Sequence, residues 1–258
     1  MIYLLVFVLL LAGGVFYFGY KNRVVKIAPV TYPDLDTRQK EILIDKVPFY
    51  EALDTTRRKY FDFKIQEFFH DVKITGIGTE IEEVDRLLIA ASAIIPIFSF
   101  PKWRYSNLKE VILYPTSFNH DFETDVPYRP IMGMVGTGMM AGKMLLSKVA
   151  LHHGFSNETD KKNTAVHEFV HLVDGLDGEI DGVPKVLLEK EYIIPWLDLM
   201  AEKIKEIEKR KSDINSYGGT SKVEFFAVAS EYFFERPKLL KKKHPKVYEM
   251  LSEIFETE

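Results

Sequence analysis

Within residues 164–173, His167, Glu168 and His171 sit in an otherwise apolar run, and that pattern leaves the segment few ways to fold. Residues four apart on an α-helix turn through about 400°, so both imidazoles stand on one face with Glu168 beside them. Val166, Phe169, Val170 and Leu172 surround the polar three. The pattern predicts a buried helix from Thr164 to Val173 whose His-Glu-His edge lines a cleft. Histidines exposed on an amphipathic surface helix fit such crowding poorly. Gly175, Gly178 and Gly182 then break the periodicity and end the helix.

The HExxH spacing brings two imidazole nitrogens within reach of one ion, and neutral imidazole binds zinc at about 2.0–2.1 Å. Glu168, one position on from the first imidazole, is placed to accept a proton from water rather than to coordinate. The chain has no cysteine, so disulfides, thiolate sites and cysteine nucleophiles are excluded, and any further ligand is His, Asp or Glu. Two candidates lie in the run Glu224 to Tyr232. Glu224 and Glu231 are seven residues apart, two turns along one apolar face, and an unpaired carboxylate buried there is costly. Each has a plain alternative: a capping box with Ser221 for Glu224, a salt bridge for Glu231. The residues alone leave the choice between them open.

Tyr217 lies in a turn where Gly218 and Gly219 allow a phenol to swing toward the cleft and donate to a developing oxyanion, although most tyrosines simply pack. Asp174, three residues after His171, can orient an imidazole or serve the helix C-terminus. Asp174, Asp177, Glu179 and Asp181 do not have the spacing of a calcium-binding EF-hand loop. The glycines between Gly133 and Gly142 match neither GxGxxG nor a P-loop and predict a mobile loop. His152 and His153, on a predicted strand, read as structural.

Ile2 to Tyr20 carries no charge and, as a helix, would extend roughly 28 Å, close to the thickness of a bilayer's hydrocarbon core. The competing reading, a cleaved signal peptide, lacks a basic leading region and an A-x-A site. Residues 1–22 are therefore expected to form one transmembrane anchor. Lys21, Arg23 and Lys26 would hold the following domain in the cytoplasm. Residues 23–36, with Pro29 and Pro33, read as a linker, and 37–258 as the catalytic domain. A net charge of −4 gives no broad basic surface for nucleic acid.

Within that domain, Thr37 to Val72 is helix-prone. Thr79 and Glu82 have capping-box spacing ahead of a core helix carrying Val84, Leu87, Leu88, Ala91, Ile94 and Ile95 on one face. Glu110–Tyr114 and Lys143–His152 read as strands, and Met144–Leu151 as an edge able to accept an extended peptide. Helical stretches flank Pro195 and fill Val223–Glu235 and the tail. The class expected is α+β, mainly helical with a small sheet.

Four blocks in order, LLIAASAIIP at Leu87–Pro96, EVILYPTSF at Glu110–Phe118, HEFVHLVD at His167–Asp174, and EFFAVASEYFF at Glu224–Phe234, resemble the Mlc titration factor A family of zinc peptidases. Its catalytic domain is similar to that of anthrax lethal factor, which implies a zincin-like fold. The resemblance implies one zinc ion held by His167, His171 and Glu224, with Glu168 as catalytic base and Tyr217 as the tyrosine seven residues before the glutamate ligand. A peptide or protein is the implied substrate. The family takes its name from a member that binds the glucose repressor Mlc, which implies a regulatory protein partner. The alternative function is a zinc-containing regulatory protein that sequesters such a repressor. An N-terminal span departs from the family's pattern.

Overall fold

The computed structural model describes residues 31–124, 131–157 and 159–256. The expected membrane span, Ile2–Tyr20, lies outside them. Among the described residues, no helix is long and apolar enough to cross a membrane.

Among the described residues, Asp36 starts the first helix, α1 (Thr37–Lys46), through a reciprocal cap with Gln39. One turn, α2 (Pro48–Glu51), leads to α3 (Thr55–Asp71), capped by Asp54. β1 (Lys73–Gly76) follows, then α4 (Glu83–Ile94). The cap of α4 lies three residues later than expected: the Asp85 carboxylate accepts the Glu82 N–H at 2.8 Å, whereas the Thr79 hydroxyl donates to the Glu80 carbonyl. Asp85 wins because it is fully buried and also held by Lys148 at 2.9 Å and His152 at 2.6 Å. Leu87, Leu88, Ala91, Ile94 and Ile95 form the buried face that the periodicity predicts.

β2 (Glu110–Tyr114), β3 (Gly133–Val135) and β4 (Lys143–Ser147) complete a four-stranded sheet of order β1-β2-β4-β3. The first two pairings are parallel, while β3 runs antiparallel to β4 in the register Gly133↔Leu146, Met134↔Leu145, Val135↔Met144. Val111, Leu113, Met144 and Leu146 face the main core. Ile112, Tyr114 and Leu145 face a smaller cluster closed by Phe118, with Met134 packed against it.

The structure differs from the sequence pattern at two further places. The strand predicted over Lys143–His152 stops at Ser147, whose hydroxyl accepts the Ala150 N–H and starts α5 (Lys148–Ser156). His152 and His153 are therefore helical. Consequently Met144–Leu151 is not an edge: β4 is flanked on both sides, and the rim belongs to β3, the first three residues of the expected glycine loop.

The HExxH segment forms α6 (Thr164–Asp174), started by Asn163, whose side chain accepts the Val166 N–H. α7 (Lys190–Glu208) continues through Pro195. A 3-10 turn over Ser216–Gly219 enters α8 (Lys222–Glu235), and α9 (Pro237–Lys243) and α10 (Pro245–Phe255) close the chain. The observed class is α+β, mainly helical with a small sheet. α6 packs against α4, α5, α8 and β3, so every residue from Ala165 to Asp174 is buried.

Candidate metal centre

α6 and α8 cross where their polar residues face each other. The Nε2 atoms of His167 and His171 lie 3.0 Å apart, and Glu224 Oε2 lies 3.0 Å from the first and 3.6 Å from the second. These atoms form a group of potential ligands lying within 4.8 Å of one another. Ser221 caps α8 by accepting the Glu224 N–H at 3.1 Å. The cap and the site are thus compatible: Ser221 takes the backbone of Glu224, and its carboxylate is left to face the imidazoles.

Glu231, two turns along α8, reaches the other side of His167. Its Oε1 lies 2.8 Å from Nδ1, and its Oε2 accepts the Asn163 N–H at 2.6 Å. The carboxylates that the sequence left as rivals therefore occupy opposite nitrogens of one ring. Glu231 at Nδ1 favours a proton on that nitrogen, the tautomer that leaves the Nε2 lone pair for a metal when one binds.

This donor set fits a divalent cation. Bonds of about 2.0–2.1 Å in a tetrahedron space the donors about 3.3–3.4 Å apart, within the observed range of 3.0 to 3.6 Å. Burial lowers the basicity of His167, but Glu224 and Glu231 outweigh it and raise its pKa to about 10. Burial likewise disfavours the Glu224 carboxylate, yet the facing imidazoles hold it down at about 2. The pocket thus demands positive charge. A single proton between His167 and Glu224 leaves His171 unserved; one ion facing all three atoms serves them together.

Glu168 is buried beside this group but does not belong to it. Burial raises its pKa, opposed by the two imidazoles, so it is more basic than an ordinary carboxylate. It lies under β3: a Cβ on Gly133 would stand 2.7 Å from Glu168 Cγ and 2.8 Å from Thr164 Cγ2. Gly133 was not legible as a site residue, since only the tertiary approach of β3 to α6 gives it a role.

Tyr217 is half-exposed, with its ring centroid 6.0 Å from that of His167. Asn215 accepts its N–H, and Gly218 packs on Val228 and Phe225 of α8. Burial and the Glu224 carboxylate raise its pKa, keeping the phenol protonated as a donor. Asp174 is fully buried, and burial pushes its carboxyl up to about 6. The acidic cluster beyond it is organised around Lys185, which lies 2.9 Å from Glu179 and 3.0 Å from Asp181.

The profile of the glucose-regulated metallo-peptidase M90 family matches residues 22–256, nearly the whole chain. The chain belongs to the M90 family. Among its relatives, the Synechocystis sp. protein slr2042 is 28% identical over 226 residues, covering 83% of this chain and 82% of that one. Mlc titration factor A of Escherichia fergusonii is 23% identical over 222 residues, covering 81% and 82%. The Klebsiella pneumoniae (strain 342) protein of the same name is 22% identical over 223 residues, covering 81% and 83%. Membership of a metallopeptidase family implies a metal, and the convergence of His167, His171 and Glu224 supplies a donor set that suits one.

Proposed function

We propose that this M90 protein is a zinc-dependent peptidase of zincin-like fold, with His167, His171 and Glu224 as the metal ligands. The observation that carries this is the facing pair of Nε2 atoms, 3.0 Å apart and closed by a carboxylate, with a second buried glutamate alongside that stays outside the group. All donors are nitrogen or oxygen, which suits zinc in a catalytic rather than a thiolate structural site.

When bound, zinc supplies Lewis acidity that polarises a peptide carbonyl and acidifies water. Glu168 then takes a proton from the attacking water on its carboxylate and returns it to the departing amine nitrogen. Its raised pKa, set by burial, suits both transfers. Tyr217, whose phenol remains protonated, donates a hydrogen bond to the oxyanion of the tetrahedral intermediate.

An extended peptide can align on β3. Met132 and Gly136 pair inward with Ser147 and Lys143, so strand alternation aims the backbone groups of Gly133 and Val135 at the outer rim. The face of β3 at Gly133 lies against Glu168.

Zinc analysis joined to a peptide-library digest tests the reading. The wild type should carry one zinc and cleave, while Glu168→Gln should retain zinc and lose at least about a hundredfold in kcat. Cleavage by Glu168→Gln at the wild-type rate overturns the assignment.

A second reading, a regulatory protein that sequesters a repressor, is favoured by the name these relatives carry, Mlc titration factor A. A repressor-binding assay on Glu168→Gln separates the two, because sequestration does not need a base. We also propose that residues 1–22 anchor the chain in a membrane, with the 37–258 domain cytoplasmic. Protease protection in vesicles of known orientation tests this.

A further inference from the structure

His167 and His171 differ in how their second nitrogens are held. His167 Nδ1 meets Glu231, but His171 Nδ1 is buried and makes no hydrogen bond. Three residues on along α6, Asp174 has the complementary deficit. Its Oδ2 accepts the Gly182 N–H at 2.7 Å, while its Oδ1 is buried and makes no hydrogen bond either. Residues three apart are neighbours on a helix surface, and the charge of His171 is among the influences on Asp174. A ring nitrogen and a carboxylate oxygen buried three residues apart without partners each carry a desolvation cost, and meeting removes both costs.

A metal on His171 Nε2 forces the ring proton onto Nδ1, turning that nitrogen into a donor that needs an acceptor. We propose that Asp174 is the positioning residue for His171, accepting its Nδ1–H directly or through one water and so fixing the tautomer that turns Nε2 to the metal. This rests on the metal-site reading above and extends it to a residue that touches neither metal nor substrate.

The other half of the Asp174 carboxylate gives this contact a second consequence. Gly182 has a φ of +81°, and a Cβ there would lie 2.6 Å from the Lys222 carbonyl oxygen, two residues before Glu224. Its own carbonyl accepts the Trp196 indole N–H at 2.8 Å. Asp174 therefore ties the imidazole-bearing helix to the loop packed against the start of α8, where the carboxylate ligand emerges. One side chain sets both the ring of His171 and the separation of α6 from Glu224.

The test compares wild type, Asp174→Asn and the exposed-loop control Asp177→Asn. Asparagine keeps the shape of aspartate and still accepts the Gly182 N–H through its oxygen. It then presents an N–H to His171 Nδ1, favouring the tautomer whose Nε2 is blocked. Zinc affinity is read by competition with a chelator, and the His171 tautomer by 15N NMR of histidine-labelled protein. Asp174→Asn should bind zinc about 10–100-fold more weakly and shift His171 toward Nε2–H in the metal-free protein, with Asp177→Asn unchanged. Wild-type affinity in Asp174→Asn overturns the proposal. So does weakened affinity with the His171 ring signals unmoved, because that result reports a general loss of structure. If the wild type binds no zinc, the metal-site reading itself fails, a different outcome.

Discussion

Glu231 and His167 meet at 2.8 Å on the far side of the imidazole from Glu224, so a single ring is clamped between two carboxylates of one helix. Glu231 also accepts the Asn163 N–H, which places the clamp on the first turn of α6. Replacement by glutamine keeps the volume but cannot accept from both donors. Glu231→Gln should therefore lower zinc affinity about 10–100-fold, measured by chelator competition, and Glu231→Ala at least as much. Unchanged affinity in both variants would show that the clamp is dispensable.

Gly133 touches the proposed base and none of the proposed metal ligands, so it can test the two roles apart. Its backbone needs no left-handed conformation, so the obstacle to a side chain is space: the added carbon would displace Glu168. With Glu168 as the proposed base, Gly133→Ala should leave zinc content intact while lowering kcat/KM by on the order of a hundredfold, because displacing such a group by about an ångström costs that much. Full activity would mean that Glu168 is not held by the β3 contact.

Glu235 predicts a pH dependence of stability away from the metal. Burial, then the charges of Glu231 and Asp160, raise its pKa to about 8. In the unfolded chain the value is about 4.3, so between these limits the folded state binds the extra proton. Stability contributed by the protonated form is complete below the lower value and is lost as pH rises toward the upper one. Glu235→Gln should change Tm little at pH 4.5 and raise it progressively up to about pH 8. A constant offset across that range would remove Glu235 as the cause.

The HExxH pair was legible because its geometry is local: four residues of helix fix both imidazoles whatever surrounds them. Glu224 and Glu231 could not be ranked from spacing, since the crossing of α6 over α8 decides which nitrogen each carboxylate meets. Ser147 leaves no mark of the strand's end in sequence because apolar residues continue on both sides of it, and only its bond to the Ala150 N–H marks the switch to helix. Gly133–Val135 looked like loop because a strand that must lie against Glu168 has to spend a glycine where a branched residue would advertise β structure. The partnerless nitrogen of His171 has no trace in sequence at all.

On the proposed alignment, the shortness of β3 limits how firmly a peptide is gripped. With only Gly133 and Val135 presenting main-chain groups outward, a guest chain gains a few hydrogen bonds, each worth about 0.5–1.5 kcal/mol net in water. Such a hold is weak and indifferent to sequence. Selection among peptides must then come from where their side chains land, and products can leave quickly.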